Sequence, residues 1–238
     1  MSDNGYLLED PRFRLAAARR ILYRNGCDSG VAGHTSMRVE GEEAFWTFPM
    51  TSFDEARPEH AVKMDFDLHV LEGAIETPFA MGFHAAFYSA RSDVQSIIHI
   101  HSPNLELFVT AERFVGLYGL SALRFHDQQA AYVDSGTSPA EETRRMLADL
   151  GNKRVLLMRN HGAIVVGSSL ESVTVDALQL EQAAGLHIAA SSWGGSEITD
   201  PQVIRARRDN RFFLNLTWNA HMRRLQRSDP DLYARLQG

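Results

Sequence analysis

Ile97-Ile98-His99-Ile100-His101-Ser102-Pro103 is the stretch on which the reading of this chain turns. The apolar, β-branched run from Val94 to His101, closed by Ser-Pro, reads as a buried strand. Residues two apart on a strand point the same way, so His99 and His101 share one face while Ile98 and Ile100 take the other. Their Cβ atoms then stand roughly 6.5 Å apart, close enough for two imidazoles to converge on one ion at about 2.0 to 2.1 Å. The competing reading is a pair of histidines satisfied by hydrogen bonds inside a sheet. A buried imidazole without a partner costs on the order of 1 to 3 kcal/mol, so two on one face want a common reason. His161 is the natural third ligand: it sits in Arg159-Asn160-His161-Gly162, a turn or bulge between the short apolar strands Val155 to Met158 and Ala163 to Val166. Gly162 beside it would let the backbone approach closely. An ordinary turn histidine is the alternative there. Three neutral imidazoles suit zinc, iron, manganese or cobalt without choosing among them.

Working outward, Asp10-Pro11 is a cap and first-turn pair that opens a helix running to Gly26. Gly33 to Val39, the polar run Glu40 to Glu43 and Phe45 to Phe48 read as a β-hairpin. Between Lys63 and Leu71 the apolar Met64, Phe66, Leu68 and Val70 alternate with polar residues, which predicts one strand with a wet face. Pro78 to Ser92 reads as a largely buried helix feeding the histidine strand. Ser138-Pro139-Ala140-Glu141 has capping-box spacing for a helix to about Gly151, and Ser168 to Glu171 caps a long helix reaching about Ser192. Asp200-Pro201 and Asp229-Pro230 start terminal helices. The alternation predicts a layered α/β/α sandwich around a mixed sheet. No repeat or linker divides the chain, so 1–238 is taken as a single domain, with C-terminal helices from about 200.

The 238 residues carry 24 Lys+Arg against 30 Asp+Glu, a formal net charge of −6. An acidic chain argues against nucleic acid as the main partner, despite arginine-rich stretches at Arg205 to Arg211 and Arg223 to Arg227, which read as solvated or subunit-facing helix surface. No leader-like start and no stretch approaching the ~18 apolar residues of a membrane span is seen, so the expectation is cytoplasmic, with no membrane partner. Cys27 is the sole cysteine, which excludes an intrachain disulfide framework and a multi-thiolate zinc site. A metal would have to be held by His, Asp or Glu.

Several ordered blocks from about Pro11 to Gly194 resemble the class II aldolase/adducin family. Gly33-His34-Thr35-Ser36-Met37-Arg38 is similar to its Gly-Asn/His-x-Ser-x-Arg segment, and Pro58 to Asp65 to the segment that follows. Phe83 to Tyr88 with Arg91 to Val94 is similar to the helix before the metal strand. His99-Ile100-His101-Ser102-Pro103 resembles the two-histidine ligand motif, and Asn160-His161-Gly162 the motif of the third histidine. The resemblance implies an α/β/α sandwich with a mostly antiparallel sheet. It also implies a catalytic divalent metal on His99, His101 and His161, a small-molecule substrate, and a homo-oligomer, commonly a tetramer, with the site near a subunit interface. It places Gly33 and His34 against the substrate, and Tyr132 in a loop segment approaching the site.

The chain departs from the family's sugar-phosphate aldolases where they carry Ser-Ser-Glu. Here the stretch is Pro78-Phe79-Ala80, with Ala80 at the place of the acid/base glutamate and no phosphate-holding serines. A phosphosugar aldolase is therefore not the expectation. The same departure is typical of the adducin-like branch, which includes decarboxylase-like enzymes, iron oxygenases of prenylated hydroxybenzoate chemistry and non-catalytic adducin heads. A three-histidine cation keeps open positions and can act as a Lewis acid, and decarboxylation needs only a later proton donor, so loss of the glutamate is least damaging there. The expectation is a metal-dependent lyase on a non-phosphorylated hydroxy or keto acid or carbonyl compound, with zinc as the metal and Fe(II), Mn or Co as alternatives. The runner-up is a non-haem iron oxygenase, for which Glu76, Asp127 or Asp134 could supply the usual carboxylate. The third reading is an interaction domain without chemistry. Candidate proton donors are Tyr132, His126 (oriented by Asp127) and Glu76. His34 is read as bonding a substrate carboxylate or capping its strand, and Arg38 as attracting an acidic substrate or forming a surface salt bridge. His84 reads as a satisfied core histidine. Phe45, Trp46, Phe48, Phe53 and Phe79 line a pocket or simply pack.

Overall fold

The structure, a computed structural model, describes residues 8–28, 30–76, 81–208 and 211–233. Eight strands form one sheet: β1 (His34–Arg38), β2 (Ala44–Thr47), β3 (Val62–Asp65), β4 (Val70–Glu72), β5 (Ser96–Ile100), β6 (Gln129–Tyr132), β7 (Val155–Met158) and β8 (Gly162–Gly167). Their order is β4-β3-β2-β1-β5-β8-β7-β6. Every pairing is antiparallel except β6 with β7. The helices are α1 (Pro11–Arg24), α2 (Gly82–Ala90), α3 (Pro103–Thr110), α4 (Pro139–Leu150), α5 (Leu170–Ser192), α6 (Pro201–Arg207), α7 (Arg211–Ser228) and α8 (Pro230–Tyr233).

Strand alternation sorts the core into two layers. Ile98, Ile100, Ala163 and Val165 face the layer containing residues of α1, α3, α5 and α7. Ile97, Ile164, Val166 and Leu156 face the layer of α2 and α4. The mixed α/β/α sandwich expected from the sequence is thus what forms. Helix starts follow the local chemistry, since the carboxylates of Asp10 and Asp200 and the hydroxyls of Ser138 and Ser169 each accept a first-turn N–H. Proline at the start of α1, α4 and α6 removes a donor that would lack a partner anyway.

The expected strand from Lys63 to Leu71 is instead two, β3 and β4, folded back on each other. The Asp65 carboxylate accepts from the backbone N–H groups of both Asp67 and His69, and Leu68 takes a left-handed φ of 69°. The side chain builds a turn that hydrophobic alternation alone does not reveal. Of the helix expected over 78–92, the described part runs from Gly82 to Ala90. Pro78, Phe79 and Ala80 lie outside the described residues, and with them the place of the missing serines and glutamate.

Candidate metal centre

The carboxyl end of β5 brings His99 and His101 to the edge of the sheet, and the β7–β8 turn brings His161 to the same edge. In that turn His161 N–H donates to the Met158 carbonyl at 3.1 Å. Asn160 occupies φ 52°, a region asparagine tolerates better than most side chains. The three rings lie 4.5, 4.9 and 4.9 Å apart between centroids, and one nitrogen from each lies within 4.8 Å of the others. The Nε2 atoms of His99 and His101 are 2.8 Å apart. A cation held at about 2.1 Å sets neighbouring donor nitrogens roughly 3.0 to 3.4 Å apart, so the pair is already near ligand spacing.

His99 Nδ1 donates to the Ala163 carbonyl at 3.1 Å, which leaves the Nε2 lone pair facing the cluster. Burial, reinforced by the neighbouring imidazoles, holds His99 well below the usual histidine range and lowers His101 to about 4. Burial also lowers His161, against the opposing pull of Asp134. Three imidazoles held toward the neutral form, with a nitrogen of each gathered at one place, are a donor set that fits a divalent cation. Gly162 makes the convergence possible, because a Cβ there would come within 3.0 Å of both the His101 ring and the Ile100 carbonyl.

Beyond His101 the chain must turn into α3, and a residue from another element anchors it. The buried Glu181 of α5 accepts from the Ser102 hydroxyl at 2.7 Å and the N–H groups of Asn104 and Leu105 at 2.9 and 3.0 Å. A carboxylate at these orphan donors is favoured both by the hydrogen bonds and by the helix dipole. The sequence reading missed Glu181, because its partners are 76 to 79 residues away.

His34 stands directly across from His99 in the β1–β5 register, with ring centroids 5.5 Å apart. Both of its ring nitrogens are buried and unpartnered among the described residues. Burial, followed by the charge of Arg19, lowers His34 to about 4. Arg19 is itself buried, donates to the Thr51 carbonyl and lies over the rings of Phe48 and Phe53. His84, expected to be a satisfied core residue, is only half satisfied. Its Nδ1 lies 2.7 Å from the Ser36 hydroxyl, which also meets Tyr88, while Nε2 has no partner among the described residues. His34, His84 and His99 therefore pack ring against ring with Phe83. Three buried ring nitrogens without a hydrogen-bond partner among the described residues are the signal, and only three-dimensional proximity exposes it.

Other expected participants lie elsewhere. Gly33 is buried just before His34, at the same edge. Arg38 closes the opposite end of β1, where it donates to the carbonyls of Tyr88, Arg91 and Val94. The corrected role for Arg38 is to satisfy the carbonyls that end α2, which no substrate-facing guanidinium could do at once. His126, paired with Asp127 at 3.4 Å, precedes β6 and so falls at the sheet edge opposite the histidine cluster. Tyr132 is at the correct edge but its hydroxyl is committed to Glu142 of α4. Three strand spacings from β5, it stands roughly 14 Å away. Glu76 is exposed after β4 and makes no described contact with the cluster. Trp46, Phe48 and Phe53 belong to the core on the α1 side and Phe45 to the other layer, so these rings do not form one pocket.

Residues 13–188 match the sequence profile described as the class II aldolase and adducin N-terminal domain. The chain belongs to that family. A putative aldolase class 2 protein of Caulobacter vibrioides is 28% identical, covering 92% of this chain and 90% of the relative. The decarboxylase NovR of Streptomyces niveus is 28% identical over 93% and 86%. A 4-hydroxy-3-prenylphenylpyruvate oxygenase/4-hydroxy-3-prenylbenzoate synthase of Streptomyces roseochromogenus is 27% identical over 94% and 84%. Among solved structures, an aldolase II superfamily protein from Pseudomonas syringae superposes with TM-score 0.82 at 28% identity, covering 93% of this chain and 94% of that one. Aldolase and decarboxylase names among such relatives support a lyase-type enzyme in this family. No helix among the described residues is long and apolar enough to cross a membrane.

Proposed function

We propose that the protein is a divalent-metal-dependent carbon–carbon lyase, aldolase- or decarboxylase-like, acting on a small non-phosphorylated hydroxy or keto acid. The observation that carries the reading is the convergence of His99, His101 and His161, whose ligand nitrogens lie within 4.8 Å of one another. These three residues would hold the cation, zinc for a lyase. A cation there would polarise a substrate oxygen and stabilise the negative charge left when a carbon–carbon bond breaks. His34 supplies ring nitrogens with no partner among the described residues, which a substrate carboxylate or hydroxyl would satisfy. The buried Arg19 charge behind His34 makes this edge favour an anion. Gly33 would border the substrate beside it.

The oxygenase relative keeps an iron-dependent oxidative cleavage as the second reading. Against it, the cluster among the described residues is three histidines, without the carboxylate that non-haem iron oxygenases add. Proton return to the product would fall on a group reaching this edge from its flanking loops, because His84 is fully buried and held neutral. The proposal also includes one structural unit over the whole chain, since Leu214, Trp218 and Leu225 of α7 join the main core. Self-association, as a tetramer, would cover the exposed Leu107, Phe114, Leu120, Leu186 and Trp193.

The deciding experiment is metal analysis of anaerobically purified protein, followed by turnover of aliphatic and aromatic hydroxy and keto acids with an oxygen electrode in the cell. The lyase reading expects about one metal per chain and product without oxygen uptake. Stoichiometric oxygen consumption would replace it with the oxygenase reading, and absence of bound metal would defeat both.

A further inference from the structure

We propose that a cavity at the opposite end of the sheet from the histidine cluster is a binding site for a phosphomonoester. It lies where β8 ends at Gly167 and where the chain enters β5, beneath the start of α7, and encloses about 500 Å³. Arg91, Arg124, Arg154 and Arg208 line it, with the exposed Ser168 and Asn215 and the apolar side of Leu214. The volume exceeds what a phosphate group alone fills and falls in the range of small-molecule sites.

Two carboxylates offset part of this charge. Asp93 pairs with Arg91 at 2.7 Å, and the buried Asp176 behind the wall pairs with both Arg124 and Arg154, at 2.7 and 2.8 Å. Two guanidiniums thus share the single Asp176 carboxylate, and four arginines around one cavity suit a phosphate anion. Arg124 spends only its Nε on Asp176, and its two terminal nitrogens have no protein partner among the described residues. Asp176 thus fixes the guanidinium plane while the outer edge faces the cavity. A preset planar fork of this kind suits phosphoryl oxygens and loses little entropy on binding. The start of α5 adds little, because Ser169 and Ser172 cap one another. Leu214 offers a surface for the organic part of the ligand, and an unsubstituted phosphate would leave that surface wet.

The site is separate from the metal centre. Gly162 and Gly167 bound β8, so the two edges are about 17 Å apart. The proposal therefore does not depend on the lyase reading. The test is calorimetric titration of the purified protein with inorganic phosphate, phenyl phosphate and acetate at constant ionic strength. Wild type should bind both phosphates saturably, phenyl phosphate the more tightly, and acetate not at all. Ser168→Asp puts a carboxylate on the cavity wall at an exposed position and should weaken phosphate binding at least tenfold while leaving metal content unchanged. Arg124→Gln should do the same, with its melting temperature measured alongside because Asp176 loses one partner. Phosphate captured by a metal at the histidine cluster would be indifferent to Ser168→Asp. Equal affinity in wild type and Ser168→Asp, or no saturable binding to wild type, overturns the proposal.

Discussion

Replacing Gly162 by alanine places a single methyl group where the histidine cluster has no room for it. The new Cβ would lie within 3.0 Å of the Ile100 carbonyl and the His101 ring carbon. Restoring ordinary van der Waals contact requires both of these to separate from the methyl by about 1 Å. The carbonyl belongs to the β5–β8 pairing, in which Ile100 faces Ala163, so the backbone at position 162 must draw back from it while the imidazole swings away. Metal ligands tolerate about 0.2 Å, so a 1 Å displacement removes His101 from the donor set. Overpacking of this kind costs about 1 to 3 kcal/mol, which for a chain of this length lowers the melting temperature by roughly 2 to 10 °C. Perturbing a ligand's support typically costs about 10- to 100-fold in metal affinity, and loss of a ligand should reach at least the upper end. The assay is competition for zinc against a chelator of known affinity, with melting followed by circular dichroism. Gly167→Ala is the control on the same strand. There the added methyl meets the side-chain atoms of Val173 at 2.9 Å and Ser172 at 3.1 Å, which can shift, so stability should fall modestly with metal affinity intact. A Gly162→Ala protein that binds zinc like wild type would refute the claim that these rings converge on one ion.

Three other outcomes are expected. The double variant His99→Ala/His101→Ala should lose bound metal while keeping its far-UV spectrum, and unchanged metal content would remove the basis of the proposed function. Glu181→Gln forfeits charge-assisted hydrogen bonds to Ser102 and the start of α3, so chemical denaturation should show a loss of about 1.5 to 3 kcal/mol. Because the exit of the histidine strand is anchored there, metal affinity should weaken too, and a variant as stable as wild type would count against that anchor. In metal-free protein His34, lowered from 6.5 to about 4 chiefly by burial, should make stability depend on pH. Below 6.5 the unfolded chain takes up a proton that the folded chain refuses until about 4, so stability is full above 6.5 and declines as pH falls through that window. The His34 share is on the order of 3 kcal/mol, and a His34→Gln protein whose stability declines as steeply would show that His34 is not the source.

Much of the site's local chemistry is legible residue by residue. The period of two puts His99 and His101 on one face, and the apolar runs on either side of Arg159 to Gly162 announce the turn that carries His161. Capping signals at Asp10, Ser138, Ser169 and Asp200 work as helix starts because each acts within a few residues of itself. His126, Arg38 and Tyr132 show where such reading stops. Each is a chemically able side chain, but which edge of the sheet it reaches depends on strand direction and order, and which group it bonds depends on neighbours 10 to 56 residues away.

The chain's own sequence determined most helix starts, the shared face of two histidines and the absence of any thiolate alternative, since these follow from short-range periodicity and composition. Tertiary structure alone decided that His161 meets them and that His34 and His84 adjoin them with orphaned nitrogens. The same holds for Glu181, which caps the helix that follows, and for Arg124, whose guanidinium ends at the far edge. The physical reason is that hydrogen bonds and metal geometry act over a few ångströms in space, while the groups they join here are separated along the chain by up to 79 residues.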